Sequence, residues 1–206
     1  MSGQKAFIAN NKYMTKEFLP FGVGVVAAFD EEVAMQDSFR IKELDVKNEW
    51  WEIMIPEMDT FLNLDLLVEH NSEKVKNCLY SQDSLTMLFY DEIQEFNKIL
   101  DETVKAKSDD ESQYERIAKD EIKAFFDSKK QELKKFMTVD SLIQFINEKA
   151  GNGGMIVASS FLFMQGINGI IYESNGSQRI LIFDAKRTIE TVQLKSQLIK
   201  DSKFSA

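Results

Sequence analysis

The dipeptide Asn175-Gly176 limits the fold of this chain more than any other local feature, because it separates two short runs rich in isoleucine. Both residues accept the positive φ angles of a two-residue turn, so Asn-Gly between β-branched runs is typical of a β-hairpin. The sequence therefore predicts a strand over Gly169–Tyr172, a tight turn, and a return strand over Arg179–Phe183. A short helix that ends at Gly166 is predicted to precede this hairpin.

The predicted hairpin is apolar on both faces. Side chains alternate along a strand, so Ile170 and Tyr172 lie on one face of the first strand and Ile171 lies on the other. The second strand alternates in the same way along its ILIF sequence, residues 180–183. We therefore expect other elements of the fold to cover both faces, which places this hairpin in the core.

Another strand is predicted over residues 22–28, GVGVVAA, and Asp30 is a suitable N-cap for a helix that begins at Glu31. The Gly-Val-Gly at the start of this strand lacks the third glycine of the dinucleotide-binding fingerprint, so a phosphate loop is not favoured. Before this strand, residues 1–21 are expected to be irregular, with one short strand at Ala6–Ala9.

A further strand is predicted over residues 49–55, where alternating apolar residues end at Pro56. Its adjacent tryptophans, Trp50 and Trp51, could form a platform for a ligand. Aromatic residues more often pack against the core, so one buried tryptophan and one tryptophan over a sheet edge is the favoured arrangement.

Three segments of the chain carry a family resemblance. The first is GVGVVAAFDEEVA, residues 22–34, a Gly-x-Gly strand followed by a helix with an acidic start. The second, within residues 50–79, runs from Ile-Pro through Leu-Asn-Leu-Asp to Ser-Glu-Lys-Val-Lys. The third is the helix, glycine and hairpin of residues 157–184. In this order the segments resemble an ADP-ribosyltransferase-like domain of the kind found in phage polyvalent proteins. The resemblance covers about half of the chain.

This resemblance implies an α+β fold with a split, mostly antiparallel β-sheet and surrounding helices. It also implies an NAD site, but the positions that align with it depart from the family's pattern. Val26 stands where the family has an aromatic residue that stacks on nicotinamide, and a valine has no π-face. Arg179 stands where active members carry a glutamate or another polar residue. A cation there opposes the positive charge that develops as nicotinamide leaves.

Members of the family hold the cofactor with a histidine in a first strand near the amino terminus. Residues 1–21 of this chain contain no histidine. His70 is the only histidine of the chain, and we expect it to lie on the surface. One histidine also leaves no pair of base and nucleophile and no cluster of metal ligands, so no metal site is predicted.

The favoured interpretation is a phage-encoded, catalytically degenerate ADP-ribosyltransferase-like protein that acts by binding or assembly and uses no cofactor. The alternative is an active, divergent transferase that moves ADP-ribose from NAD to a protein or nucleic-acid group. In that case NAD is the cofactor, and Tyr172, Glu173 and Gln178 are the candidate catalytic residues. The resemblance thus favours a protein without enzymatic activity and leaves the enzyme open.

Residues 85–149 are predicted to form a helical insertion within one domain of residues 1–206, because this span has neither glycine nor proline. Apolar residues at three- and four-residue steps predict one amphipathic helix of about five turns over residues 85–104. The polar segment KSDDESQ separates it from a second helix that begins near Tyr114. A short polar loop favours an antiparallel helical hairpin. Asp140 is expected to cap a third, shorter helix.

The apolar stripe of this hairpin is wider than a single helix seam, because large apolar residues stand side by side in it. The sheet could take up the surplus, or a partner chain could cover it, and the sequence leaves these two possibilities equal. The residues expected to contact a protein partner or a second copy are Phe89, Phe96, Phe125 and Phe126.

The charge and the cysteine content exclude some classes of function. A net charge of −9 and a pI of about 4.8 argue against nonspecific binding to nucleic acid, which depends on neutralising phosphates. The single cysteine, Cys78, cannot form an internal disulfide and is expected to be half-buried. No apolar run is long enough to span a bilayer, and the amino terminus has no hydrophobic signal core. We therefore expect a location in the cytoplasm of the host cell, with association with the virion as an alternative.

Overall fold

The computed structural model describes residues 3–9, 17–19, 22–40, 50–107, 111–149 and 154–195. Within these residues the α+β prediction is confirmed, since a mostly antiparallel sheet is combined with eight α-helices. The strands are β1 Gln4–Ala9, β2 Glu17–Leu19, β3 Gly22–Ala28, β4 Trp50–Ile55, β5 Phe61–Asn63, β6 Gly169–Ser174, β7 Ser177–Ile182 and β8 Thr191–Lys195. The helices are α1 Glu31–Arg40, α2 Glu73–Leu79, α3 Gln82–Leu88, α4 Tyr90–Lys107, α5 Glu111–Leu133, α6 Val139–Lys149, α7 Gly154–Met164 and α8 Ala185–Thr188.

The strands are hydrogen-bonded in the order β5-β6-β7-β3-β1-β4-β8, and β2 pairs with β3. The β5–β6 pair is parallel, and the other pairs are antiparallel. Among the described residues β1 and β3 share one register pair, Phe7 with Ala28, whereas β1 and β4 pair along their whole length. The single β1–β3 pair therefore divides the sheet into two parts, one formed by β5, β6, β7 and β3 and the other by β1, β4 and β8.

The predicted hairpin is confirmed. It consists of β6 and β7, whose register runs from Gly169 opposite Ile182 to Ser174 opposite Ser177. Asn175 and Gly176 form the turn, and both have positive φ, 53° and 73°. Positive φ at both central positions is what a type I′ turn requires. The local pattern of β-branched residues around Asn-Gly thus determined the register as well as the turn.

Both faces of the hairpin are covered, as the sequence indicated. On one face, Ile170 and Leu181 belong to the larger buried cluster, together with residues of α2, α3, α6 and α7. On the other face, Ile180 and Ile182 belong to a second buried cluster that also contains Ala6, Ile8, Ile53 and Ile55 of β1 and β4. The second cluster is therefore common to the hairpin and to β1 and β4.

Glycines in β3 allow neighbouring elements to approach closely. A Cβ on Gly24 would stand 2.3 Å from the carbonyl oxygen of Ile182 in β7. A Cβ on Gly22 would stand 2.8 Å from Oγ of Ser159 in α7. The Gly-Val-Gly sequence thus serves strand pairing and the packing of a helix on a strand, which explains it without a phosphate ligand.

The prediction of one continuous helix over residues 85–104 is wrong. The chain forms α3 and α4, and it breaks at Phe89, whose φ and ψ are −114° and 29°. Oγ of Ser81 accepts a hydrogen bond from the backbone N–H of Ser84, which begins α3 as a separate helix. Phe89 is 1% exposed, so the break places its ring in the core while α4 continues away from it. Periodicity alone does not reveal the break, because Phe89 fits the apolar stripe of either helix.

The antiparallel hairpin of α4 and α5 is confirmed. The rings of Phe96 and Phe125 stack with centroids 4.4 Å apart, and Lys129 forms an ion pair with Glu92. Residues 108–110, which contain part of the predicted polar break, lie outside the described residues.

The predicted cap of the third helix is wrong, because Oγ1 of Thr138 accepts from the N–H of Ser141 and α6 begins at Val139, before Asp140.

The amino-terminal prediction is corrected in part. Residues 4–9 form β1, which lies between β3 and β4 in the sheet, instead of a short strand in an irregular lead-in. The strand predicted over residues 49–55 is confirmed over Trp50–Ile55 and ends before Pro56, while Glu49 lies outside the described residues. Trp50 is buried and its Nε1–H donates to Oε1 of Glu31, while Trp51 is partly exposed. The prediction of one buried tryptophan is confirmed, but Trp51 does not lie over a sheet edge, because β4 pairs with β1 on one side and with β8 on the other.

Candidate functional site

The two positions aligned with NAD-handling residues lie on adjacent strands. Val26 of β3 is in register with Leu181 of β7, and Arg179 is in register with Ala28. Val26 is partly buried and packs against the larger apolar cluster. Its side chain therefore serves the core and offers no aromatic face to a nicotinamide ring.

Arg179 forms an ion pair with Asp37 of α1, and its Nη1 lies 2.6 Å from Oδ2 of Asp37. The side chain of Arg179 is 14% exposed and that of Asp37 is 22% exposed. Oδ1 of Asp30 accepts from the N–H of Glu32 and begins α1, which carries Asp37 toward the start of β7. The guanidinium of Arg179 thus pairs with the carboxylate of Asp37, and this ion pair connects α1 to β7 of the hairpin.

The three candidate catalytic residues do not form one site. Tyr172 is buried, with its side chain on the face that packs against the helices. Glu173 and Gln178 are exposed and stand opposite each other near the end of the hairpin. Neighbouring residues in a strand point to opposite faces, so Glu173 points away from the face that holds Tyr172.

The remaining residues singled out by chemistry lie apart from this region. His70 is exposed in a short 3-10 turn, as expected. Cys78 is free and half-buried, also as expected, and burial raises the pKa of its thiol although the charge of Lys74 acts against this. No group of three or more histidine, cysteine or acidic side chains in the described part of the chain is arranged to hold a metal ion. Strand β1, next to β3, contains no histidine.

A cavity lies at a position that the sequence did not indicate. A cavity of about 550 Å³ opens between α7, β3 and the junction of β7 with α8. Its lining residues are Val23, Val25, Ile156, Ser159, Ser160, Phe163, Phe183, Asp184, Ala185 and Lys186. None of the five residues aligned with NAD handling or catalysis is among them.

Two hydrogen bonds hold the walls of this cavity in place, one between distant segments and one within a turn. Oγ of Ser159 accepts from the N–H of Val23 at 2.7 Å, which fixes α7 against the start of β3. Oδ1 of Asp184 accepts from the N–H of Lys186 at 3.1 Å and begins α8. The cavity could not be found in the sequence, because its walls come from segments more than a hundred residues apart. Its one local signal is the mostly apolar sequence of α7, which is interrupted by Ser159 and Ser160 and leaves Ile156 exposed.

The aromatic residues assigned to a partner surface differ in their environments. Phe89 is a core residue, which corrects its assignment to a surface available for a partner. Phe126 is partly buried against the same core, and Phe125 contacts it edge to face. Phe96 and Phe125 cover each other. Farther along the hairpin, Ile99 is 55% exposed and Ile122 is 37% exposed.

A charged cluster, formed by Glu92, Lys129 and Lys149, fixes the base of the hairpin. Glu92 pairs with both lysines, so it connects α4 to α5 and α6. The two ammonium groups also lie 4.9 Å and 5.0 Å from the ring centroid of Phe89. Burial acts to raise the pKa of Glu92, but the hydrogen bonds from the lysines outweigh it, so the pKa lies below its ordinary value. The base of the hairpin is thus tied to the core by charge as well as by packing.

Comparisons with protein-family models, with curated proteins and with solved structures find no match to this chain. No helix among the described residues is long and apolar enough to cross a bilayer.

Proposed function

We propose that this protein is a catalytically inactive, phage-encoded ADP-ribosyltransferase-like protein that acts by binding or assembly through its α4–α5 hairpin. The observation that carries the loss of catalysis is the ion pair of Arg179 with Asp37. At the aligned position, a catalytic carboxylate would stabilise the positive charge of the departing sugar. Here a cation occupies this position and is already neutralised within the fold.

The sheet supports the fold-family part of this proposal. The resemblance implies a split, mostly antiparallel sheet, and β1 and β3 share a single register pair in the described residues. The strands on either side are paired much more extensively, as β3 is with β7 and β1 with β4. Narrow pairing at one position, with an apolar cluster common to both parts, is what a sheet divided there would show.

The distal part of the hairpin supports the binding part of the proposal. Ile99 and Ile122 expose large apolar side chains near the stacked pair of Phe96 and Phe125. A two-helix hairpin can bury only one seam against itself, so apolar side chains outside the seam stay in water unless a partner covers them. This interface would take a second copy of the chain or the apolar face of another protein.

Incubation of the purified protein with NAD tests the catalytic part. We expect no binding of NAD in titration calorimetry and no release of nicotinamide above the level of a heat-inactivated sample. Release that is lost in Glu173→Ala or Gln178→Ala would instead establish the active, divergent transferase, with the exposed pair at the hairpin end in the catalytic role.

Sedimentation velocity over a concentration series tests assembly. The double variant Ile99→Glu with Ile122→Glu should shift the protein toward monomer while its circular dichroism stays unchanged. Met137→Glu is the matched control, because Met137 is 69% exposed and lies outside the hairpin. Wild-type protein that is monomeric at every concentration would exclude self-assembly. An assembly that the double variant leaves unchanged would place the interface elsewhere.

A further inference from the structure

We infer that the cavity between α7, β3 and the β7–α8 junction binds a small amphipathic carboxylate, of the class of a medium-chain fatty acid. The cavity measures about 550 Å³, inside the range of roughly 300–1,000 Å³ that is usual for small-molecule sites. It shares no residue with the aligned NAD positions or with the α4–α5 hairpin. The inference therefore stands independently of the proposed function.

The walls of the cavity suit an alkyl chain. Val25 and Phe183 are buried and form part of the wall, and Phe163 adds an aromatic ring from α7. Ile156 also lines the cavity, yet it is 56% exposed. A bound alkyl chain would remove this isoleucine and the cavity walls from water together, which is favourable for both surfaces.

The rim of the cavity suits an anion. Lys186 lines the cavity and is exposed, and its ammonium forms no ion pair with any described residue. Asp184 also lines the cavity and is the acid that could oppose a bound anion. Its Oδ1 accepts from the N–H of Lys186, and its Oδ2 lies 3.8 Å from Nε of Arg187. Asp184 thus has two cationic or N–H neighbours of its own, whereas the ammonium of Lys186 has no ion-pair partner among the described residues.

A hydroxyl donor completes the polar end of the site. Ser160 is exposed and lines this cavity, whereas the hydroxyl of its neighbour Ser159 accepts the N–H of Val23. A carboxylate that lies near Ser160 and Lys186, with its chain along the apolar wall, would satisfy both kinds of lining.

This lining also discriminates between ligand classes. A nucleotide or another polyphosphate would require several cations or a row of backbone N–H groups, and Lys186 is the one basic residue among the described residues of the lining. An amphipathic amine of equal length would place its charge beside Lys186, where like charges repel. A single negative charge on an apolar body is the class that fits.

Titration calorimetry of the full chain with decanoate, kept below its micellar concentration, tests this inference. We expect saturable binding of one decanoate per chain. Decylammonium, which has the same chain and the opposite charge, should bind about tenfold more weakly. Equal binding of the two ligands would overturn the assignment of an anion site, and the absence of saturable decanoate binding would overturn the site itself.

Two variants locate the binding. Ser160→Trp places an indole in the mouth of the cavity and should abolish decanoate binding, whereas Ser128→Trp, at an exposed serine of α5, should leave it unchanged. Lys186→Glu should weaken decanoate binding by about fivefold, and Lys135→Glu is its matched control. Decanoate binding that survives both Ser160→Trp and Lys186→Glu would place the ligand elsewhere and refute the inference.

Discussion

Asp37 and Arg179 connect α1 to the first residues of β7 through an ion pair of 2.6 Å in which neither side chain is more than 22% exposed. The pair joins two segments separated by 142 positions in sequence. Its position next to Ala28, the residue of β3 that pairs with β1, places it where the two parts of the sheet meet. It is therefore an anchor of the tertiary structure at a position where the resemblance implies a catalytic group.

Asp37→Asn should destabilise the protein by about 2 kcal/mol, because a guanidinium of low exposure loses the carboxylate with which it forms an ion pair. The free energy of unfolding in urea measures this effect. Glu73→Gln is the control, since it removes a carboxylate that is 81% exposed and pairs with Lys76 within α2, and it should cost less than about 0.5 kcal/mol. Equal effects of the two variants would contradict a structural role for the Arg179 pair.

Acid should weaken the base of the hairpin. The pKa of Glu92 is lower in the folded protein than its ordinary value of 4.5, because the hydrogen bonds from Lys129 and Lys149 outweigh burial. The folded state therefore gains stability from ionised Glu92 above pH 4.5, and it loses this gain as the pH falls through the lower, folded value. Urea titrations at about pH 7 and about pH 3 should show a smaller acid-induced loss for Glu92→Gln than for the wild type. Parallel losses in the two proteins would contradict this coupling.

Phe89→Ala should cost about 3 to 5 kcal/mol in the free energy of unfolding, as is usual for removing a fully buried aromatic ring. Phe89 is 1% exposed, and its ring contacts that of Phe145 with centroids 5.8 Å apart. Tyr90→Ala is the matched comparison, because Tyr90 is the next residue and its side chain is exposed. This variant should lower the free energy of unfolding by well under half as much. If the Phe89→Ala variant folds with wild-type stability, Phe89 does not stabilise the core and the earlier prediction that it contacts a partner regains support.

Gly24→Ala should destabilise the protein more than Gly176→Ala does. A Cβ on Gly24 would stand 2.3 Å from a backbone oxygen of β7, so the strands would have to separate, at a cost of about 3 kcal/mol or more. Gly176 has free space around its Cα but a φ of 73°, so an alanine there should cost about 1 kcal/mol of backbone strain. Thermal unfolding of the two variants measures the difference, and the reverse order would contradict the close approach of β3 and β7.

Features governed by neighbouring residues could be predicted from the sequence. The turn at Asn175-Gly176 followed from the φ angles that these residues accept, and α1 followed from the Asp30 cap. The break at Phe89 and the cap at Thr138 could not be predicted in this way. At Phe89, burial of the ring in the core accompanies the break, and apolar periodicity alone carries no signal for it.

Local patterns in the sequence were sufficient to predict the β6–β7 hairpin, the alternation that buries both of its faces, and the antiparallel helices α4 and α5. The folded structure was needed to show that β1 lies between β3 and β4, that Arg179 meets Asp37, and that α7 forms a cavity with the β7–α8 junction. The two groups of features differ in the range of the interactions that produce them. Turn angles, caps and periodicity act within a few residues, whereas strand order, ion pairs and cavities depend on which distant segments become neighbours when apolar surface is buried.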